Sequence, residues 1–281
     1  MKYGISLPNF GWFGDINVLI DVATDAEDAG WDGFFLWDHM LVFKEDHTIF
    51  SDPNIALSAI ACNTKKISFG PMVTPLPRRR PWKVARECVT LDHLSKGRFI
   101  LGVGIGAPPD PEFTAFGEEP SAKIRAEKLD ESLDIITGLW TGEPFSYTGH
   151  HYQVDNVTFL PRPYQKQGIP IWVGGGIPHK SPFRRAARFQ GVIPIHSQWP
   201  TPIQPSDLNG VLNIVKAERG SLDDYEVVIC GETTGDDENK DQEILQPWLD
   251  AGITWWLEDI NGMRATVDIL RERIRNGPPK I

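Results

Sequence analysis

The sequence has few cysteines, and they do not have the spacing of cysteines that form disulfides or bind zinc. Cys62, Cys88 and Cys230 are far apart and form no CxxC pair, which argues against a disulfide framework or a zinc site. We expect buried, reduced thiols of the kind found in the cytosol. His-x-His and HExxH patterns are also absent, so we predict no metal site.

Long apolar runs and an excess of basic charge are lacking as well. No run reaches the roughly 18 apolar residues that a membrane span needs, and an apparent strand begins at Lys2 without the apolar region of a signal peptide. The formal net charge of -10 disfavours nucleic acid and anionic membranes, which attract Lys and Arg. With 41% hydrophobic and 23% charged residues, the composition is that of a soluble globular protein, which we expect to be cytoplasmic.

What the sequence does contain is a regular alternation of short β-rich runs and longer helical patterns. The predicted strands are Tyr3–Leu7, Phe34–Trp37, Ile67–Val73, Arg98–Val103, Ile169–Val173, Val192–Ile195, Tyr225–Cys230 and Ile253–Leu257. An open doubly wound sheet also alternates in this way, but eight strands within 281 residues favour a closed barrel. We therefore predict an α/β fold, a single (β/α)₈ TIM-barrel domain over residues 1–281. Residues 142–168 break the rhythm and predict a small β insertion between the fourth helix and the fifth strand.

In such a barrel the functional site lies where the strands end, and the opposite face serves stability. The residues at strand ends are Asn9 and Trp12, Trp37-Asp38-His39, Met72-Val73-Thr74, Gly104-Ile105-Gly106-Ala107, Gly174-Gly175-Gly176 and His196 to Trp199. Arg98 and Asp92 fall at the opposite face, where we interpret them as a structural ion pair.

The glycine run from Gly174 to Gly176 has the clearest mechanism. A glycine-rich loop before a helix lets backbone N–H groups approach an anion closely, and the cations Lys180, Arg184 and Arg185 follow. This pattern favours a phosphate site; the alternative is a tight turn without a ligand.

Side chains at other strand ends offer binding and proton transfer. His39 could hydrogen-bond a cofactor or move a proton near neutral pH, although a strand-end histidine is often only a satisfied polar group. The side chains that could wall a substrate pocket are Trp12, Trp37, His196 and Trp199. The run Arg78-Arg79-Arg80 is either a solvated charge run or an attractor for an acidic group on cofactor or substrate.

Several of these motifs together resemble the luciferase-like monooxygenase superfamily. The resemblance is carried by the run from Ser68 to Gly106, SFGPMVTPLPRRRPWKVARECVTLDHLSKGRFILGVGIG, together with Asp38-His39, Glu112-Phe113 with Gly117, Arg125 with Glu131, Tyr147-Thr148-Gly149 and IPIWVGG from Ile169. It covers about the first two-thirds of the chain and implies a barrel that binds FMN or the deazaflavin coenzyme F420. The Asp-His-Met form after the second strand is more similar to the F420-dependent branch.

The resemblance also implies roles for individual residues. His39 is expected near the cofactor ring as the catalytic partner, Met72-Val73 matches a non-prolyl cis peptide behind the ring, and Gly174 to Ile177 match the phosphate loop. The expected cofactor-binding set is Asp38, Met72, Val73, Thr74, Gly104, Ile105, Gly106, Gly174, Gly175, Gly176 and Ile177. Sugar-phosphate dehydrogenases of the F420 branch carry a proton-donating Glu after the fourth strand, where this chain has Ala107.

The predicted function is hydride transfer between F420 and an unidentified small organic substrate. The alternative within the family is an FMN-dependent monooxygenase that uses oxygen and reduced flavin from a separate reductase. A barrel isomerase or aldolase is a further alternative, although its phosphate loop would follow strands seven and eight. A non-catalytic flavin-binding protein is the last. Many relatives pair through barrel helices, so we expect a homodimer.

Overall fold

The structure shows the alternation of strands and helices that the sequence predicts. The computed structural model describes residues 1–42, 44–45, 47–198 and 201–280. The strands are β1 (Lys2–Leu7), β2 (Gly33–Leu36), β3 (Ser68–Pro71), β4 (Thr74–Pro75), β5 (Leu101–Gly104), β6 (Phe145–Thr148), β7 (Gln153–Val157), β8 (Ile171–Ile177), β9 (Gly191–His196), β10 (Glu226–Gly231) and β11 (Trp255–Asp259). The α-helices are α1 (Ile16–Asp28), α2 (Pro53–Asn63), α3 (Pro81–Ser95), α4 (Ala122–Trp140), α5 (Ser181–Ala186), α6 (Pro205–Arg219), α7 (Glu238–Asp250) and α8 (Val267–Arg275).

The main sheet is a closed parallel barrel. Its strand order is β3-β2-β1-β11-β10-β9-β8-β5-β4. Strands β3 and β4 are the two halves of the third predicted strand, separated by the cis peptide bond Met72-Val73. A parallel bridge between Phe69 and Phe99 joins β3 to the segment that leads into β5. The sheet therefore closes on itself, and the predicted TIM barrel is confirmed.

Large side chains fill the barrel at the amino ends of its strands. The interior cluster consists of Phe35, Met72, Ile100, Trp172, Ile193, Val228, Trp255 and Leu257. The rings of Trp172 and Trp255 lie 5.2 Å apart between centroids, and these residues stand near the starts of β8 and β11. Because this plug blocks the amino end, the carboxyl end is the one at which a ligand can enter.

The predicted insertion is an antiparallel hairpin of β6 and β7 between α4 and β8. Glu131 of α4 accepts hydrogen bonds from the backbone N–H groups of His150, His151 and Tyr152 at 2.7, 3.0 and 3.0 Å. A Cβ at Gly149 would lie 2.3 Å from Glu131 Oε2, so the carboxylate can reach the turn only because residue 149 is glycine. Glu131 thus fastens the hairpin to the barrel.

The largest error in the predicted elements concerns the glycine run. The sequence predicts a strand that ends at Val173 and a loop from Gly174, whereas β8 continues to Ile177. Gly174 and Gly176 pair in register with Ile193 and Ile195 of β9. Glycine is a poor strand former, but pairing with a long neighbouring strand overrides that local preference.

Two interpretations of single residues were also wrong. Arg98 does not pair with Asp92; it donates to the carbonyls of Ala61 and Thr64 at the end of α2. Cys88 is buried as expected, but Cys62 and Cys230 have exposed surface. Among the described residues, no helix is long and apolar enough to cross a membrane, and no group of histidine, cysteine and acidic residues could hold a metal ion.

Candidate active site at the carboxyl end of the barrel

One layer of inward-facing side chains separates the interior plug from solvent. Successive residues of a strand face opposite sides of the sheet, so positions two residues beyond members of the plug also point into the barrel. This gives Trp37 beyond Phe35, Gly174 beyond Trp172, Ile195 beyond Ile193, Cys230 beyond Val228 and Asp259 beyond Leu257. We call the space above this layer the mouth.

One side of the mouth is a surface of backbone and small side chains, the glycine cradle, formed by Val73, Gly104, Gly174 and Gly176. A Cβ at Gly104 would lie 2.9 Å from Val73 Cγ2, and one at Gly174 would lie 3.6 Å from Val73 Cγ1. Val73 follows the cis bond that interrupts the third barrel strand. It packs across the two glycines and forms a platform on which a flat ring could rest. The expected cis peptide at Met72-Val73 is therefore confirmed.

The three glycines of the run do not all face the same side of β8. Gly174 and Gly176 face the mouth, but a Cβ at Gly175 would lie 2.8 Å from Phe183 Cε1 of α5. Gly175 therefore lets a helix pack closely against β8 from outside.

His39, directly beyond β2, is held from two sides. The buried side chain of Asn9 donates to the His39 carbonyl at 2.8 Å and accepts from its backbone N–H at 3.0 Å. Nδ1 of the ring lies 2.7 Å from Oε1 of Glu112, a side chain only 1% exposed. In the part of the chain that the structure describes, Nε2 has no hydrogen-bonding partner. The ring therefore offers Nε2 to a ligand.

Behind His39 lies a buried ion-pair network of four charged side chains. Arg78, 4% exposed, bonds to Glu112 and, at 2.8 Å, to Asp38 Oδ1. Arg79 bonds to Asp38 Oδ2 at 2.8 Å. These two arginines are therefore neither solvated nor free to attract a ligand, because the chain's own carboxylates neutralise them. Asp38, expected to contact the cofactor, has no exposed side-chain surface and supports the network instead.

The network fixes the charge of Glu112. Burial alone would raise the pKa of this carboxyl, but the hydrogen bond from His39 and the charge of Arg78 outweigh it and hold the pKa below its ordinary value. An ionised carboxylate can only accept a hydrogen bond, so the proton shared with His39 belongs on Nδ1. Neutral His39 then has an unprotonated Nε2, ready to accept a proton from a ligand.

The opposite side of the mouth, the polar wall, consists of Ser6, Cys230 and Asp259. Trp37 Nε1 donates to Ser6 Oγ at 3.0 Å, and the Trp37 ring lies 6.0 Å from that of His39 between centroids. The polar wall and His39 therefore share one mouth. The wall was missed from sequence because the last strand was predicted to end at Leu257, two residues before Asp259.

The other predicted site residues are more scattered. The carbonyls of Ile105 and Gly106 accept from buried Arg125, which fixes the loop after β5. Thr74 is buried at 2% exposure, and Ala107 is exposed.

The predicted pocket residues also differ in position. Trp12 is 49% exposed, and Ile177 and His196 pair at the ends of β8 and β9. Trp199 lies outside the described residues. Cavities of about 800 Å³ and about 290 Å³ open at the amino ends of the strands, away from His39.

Comparisons with known proteins agree with this geometry. A family model described as luciferase-like monooxygenase matches residues 1–200. The F420-dependent glucose-6-phosphate dehydrogenase of Microbacterium testaceum is 36% identical over 163 residues, which are 58% of this chain and 48% of the relative. The 4-hydroxyprotoasukamycin monooxygenase of Streptomyces nodosus subsp. asukaensis is 34% identical over 178 residues, 61% of this chain and 46% of the relative. The chain thus matches about half the length of these curated relatives.

The fold also has a solved counterpart over its whole length. An F420-dependent secondary alcohol dehydrogenase in complex with an F420-acetone adduct superposes with a TM-score of 0.82 at 16% identity, over 99% of this chain and 98% of the other. At that identity the likeness establishes the barrel architecture alone.

Proposed function

The chain belongs to the luciferase-like monooxygenase family, and from this premise we propose that it is an oxidoreductase that uses coenzyme F420 to transfer hydride to or from a small organic substrate. The observation that carries the proposal is the pairing of His39 with ionised Glu112 in the mouth that also holds the glycine cradle. Similarity to an F420-dependent dehydrogenase over 163 residues favours F420 over FMN.

The residues of the mouth fit a flat, bulky cofactor. Gly174 leaves room beside Val73, since a Cβ there would meet its nearest atoms only at 3.4 Å or more. Val73 and the backbone of Gly104, Gly174 and Gly176 would hold the ring. A bound deazaflavin supplies a hydride donor or acceptor.

The chain's own part in the chemistry is orientation and proton control. Glu112 fixes the His39 ring and places its proton on Nδ1, so that Nε2 can accept a proton from a ligand and return it. The plug of tryptophan and aliphatic side chains below the mouth excludes water from beneath the site, which strengthens hydrogen bonds made there.

Cofactor titration tests the proposal directly. We expect the purified chain to bind F420, followed by the cofactor's fluorescence, with much higher affinity than FMN. Gly174→Ala puts a methyl group into the cradle without a backbone clash and should weaken F420 binding about tenfold, because overpacking of this kind costs about 1–3 kcal/mol. Gly210→Ala is the matched control, since a Cβ there has no atom within 4 Å. Tight FMN binding without a response to F420 would overturn the proposal.

One relative favours a second function. The similarity to 4-hydroxyprotoasukamycin monooxygenase supports an FMN-dependent monooxygenase supplied with reduced flavin by a partner reductase. Oxygen uptake by the chain with reduced FMN and a generic flavin reductase, above that of the reductase alone, would favour this function over F420-dependent hydride transfer.

A further inference from the structure

The polar wall contains a carboxyl group that makes no ion pair with the described residues. Asp259 ends β11 and pairs in register with Ser6 of β1. Its Oδ1 atom is buried and, among the described residues, has no hydrogen-bond partner. A buried, unpaired carboxyl is costly to a folded protein. A chain that keeps one at the ligand-binding end of its barrel has a use for it other than stability.

The charged groups around Asp259 leave it without a counter-ion. Arg264 is the nearby cation, but its Nη1 bonds to Glu258 Oε1 at 2.7 Å and to the Asp259 carbonyl at 2.8 Å, and its Nε lies 3.6 Å from Glu232. Burial raises the pKa of Asp259, and the charges of Glu232 and Glu258 add to the effect, against Asn261 and Arg264.

The neighbouring strand experiences the same environment. Cys230 of β10 is accessible from the mouth yet enclosed by the barrel wall. Burial, followed by the charge of Asp259, raises the pKa of its thiol to about 12, against a hydrogen bond with Ser6. The wall therefore presents the hydroxyl of Ser6 beside a thiol and a carboxyl whose pKa values burial raises.

We propose that Asp259 is the catalytic acid and base on the substrate side of the mouth, and that the polar wall selects an uncharged alcohol or carbonyl compound. This inference rests on the proposed function. In carbonyl reduction, a bound reduced deazaflavin would supply the hydride to the carbonyl carbon and release its ring N–H proton to solvent, while Asp259 gives its proton to the carbonyl oxygen. The carboxyl O–H bond breaks, leaving a carboxylate that water reprotonates; oxidation of the alcohol is the reverse.

The charge of the wall sets the substrate class. The charge of Glu232 acts on Asp259, while Arg264 is already shared between Glu232 and Glu258 and Arg273 is paired with Glu258. A phosphorylated substrate would meet negative charge without a free cation, whereas a neutral hydroxyl or carbonyl can donate to or accept from Asp259 at little electrostatic cost.

The test compares the wild-type chain with Asp259→Asn, with F420 binding measured first. We expect the variant to bind F420 within twofold of wild type and to lose at least 100-fold in turnover, since general acid–base catalysis contributes about 10²–10⁴-fold. Substrates are offered as matched pairs, a neutral polyol and its monophosphate, which both keep a free secondary hydroxyl, with F420 reduction as the signal. Asp21→Asn, the same exchange at an exposed position of α1, should turn over within threefold of wild type.

Thermal melting of the cofactor-free proteins supplies a readout that does not depend on activity. A carboxyl whose folded-state pKa is raised stabilises the fold below its unfolded pKa, and this stability is lost as pH rises through the folded value. Asp259→Asn should therefore melt higher than wild type at pH 8, and the gap should narrow as pH falls toward 4. A merely structural Asp259 would make the variant melt lower at both pH values.

The possible outcomes distinguish failure of the proposed function from failure of the role assigned to Asp259. Failure of the wild-type chain to bind F420 overturns the proposed function. F420 binding followed by full turnover in Asp259→Asn, by preference for the phosphate ester, or by a lower melting temperature of the variant at pH 8 overturns the role of Asp259 alone.

Discussion

At the scale of single residues, the imidazole of His39 is held by a carboxylate 73 positions away in the chain. One carboxylate oxygen of Glu112 accepts a hydrogen bond from Nδ1–H of His39, and the other oxygen is ion-paired with Arg78. Removing one partner of such a buried pair leaves the other charge uncompensated, which costs more than the pair itself contributes. Glu112 therefore couples the protonation of the site to the stability of the fold.

Glu112→Gln tests this coupling. We expect a loss of about 3 kcal/mol in the free energy of unfolding at pH 7, because breaking a buried ion pair costs about 3–5 kcal/mol. A depressed folded-state pKa gives stability above the unfolded value, and that stability is lost as pH falls through the folded pKa. The gap between wild type and variant should therefore shrink below the ordinary pKa of 4.5, as measured by denaturant titration across pH.

The control for that experiment is Glu118→Gln, on the same loop but outside the ion-pair network. It should unfold within about 0.5 kcal/mol of wild type, as surface substitutions usually do. Equal losses in the two variants, or a Glu112→Gln gap that does not depend on pH, would contradict the assigned role of Glu112.

Residue roles were predictable only where position along the chain sets them. His39 was identified because it directly follows a strand, and strand ends converge at one face of a barrel. Glu112 was not placed, since nothing in the local sequence brings it to His39. Arg78 and Arg79 were read as solvated or ligand-binding because consecutive charges look exposed; only folding shows that carboxylates from two other segments neutralise them.

At the scale of elements, the contact between helix α4 and the β6–β7 hairpin shows how one polar side chain can position a whole insertion. Glu131 lies near the middle of α4 and satisfies three successive backbone N–H groups of the turn between β6 and β7. An isolated two-stranded hairpin is only marginally stable in water. Its order therefore depends on this carboxylate.

Replacing Glu131 should release the hairpin while leaving the barrel intact. In Glu131→Ala we expect faster amide hydrogen exchange over residues 145–157 and a loss of about 1–3 kcal/mol, the cost of leaving buried polar groups unsatisfied. Lys123→Ala is the matched control on the same helix, since that side chain is 86% exposed and pairs with Glu127 rather than with the hairpin. Unchanged exchange in Glu131→Ala would show that apolar packing alone holds the hairpin.

Element boundaries were harder to predict than element types. The fourth helix, predicted to precede the insertion, is observed as α4 (Ala122–Trp140). The ends of β8 and β11 were placed too early, at Val173 and Leu257, because glycine and acidic residues are poor strand formers. Both errors fell at the mouth, where residues serve a ligand rather than the sheet.

At the scale of the whole molecule, the barrel is filled at one end and open at the other. Trp172 and Trp255 are buried to 1% exposure, whereas the layer above them includes Gly174, Cys230 and Asp259. The barrel class and strand count were predictable because alternation of strand and helix repeats along the entire chain. The open end could also be predicted, because sites of such barrels lie at the carboxyl ends of the parallel strands.

Binding of F420 should stabilise the whole barrel, because a cofactor at the mouth would contact strands from both halves of the sheet. At 100 times its Kd, F420 should add about 2.7 kcal/mol to the free energy of unfolding. That addition corresponds to a rise in Tm of roughly 5 °C or more for a domain of this size. Gly174→Ala at the same F420 concentration should show a smaller rise. A Tm that does not respond to F420 in the wild-type chain would contradict binding at the mouth.

The two sides of the mouth come from different stretches of the chain. The glycine cradle is complete by Gly176, inside the 1–200 range that the family model matches, whereas Cys230 and Asp259 follow that range. Evolution can therefore retain one cofactor while exchanging the reactant, by altering the last third of the polypeptide. A chimaera that grafts residues 201–281 onto a relative's first 200 should inherit its cofactor from one parent and its substrate from the other.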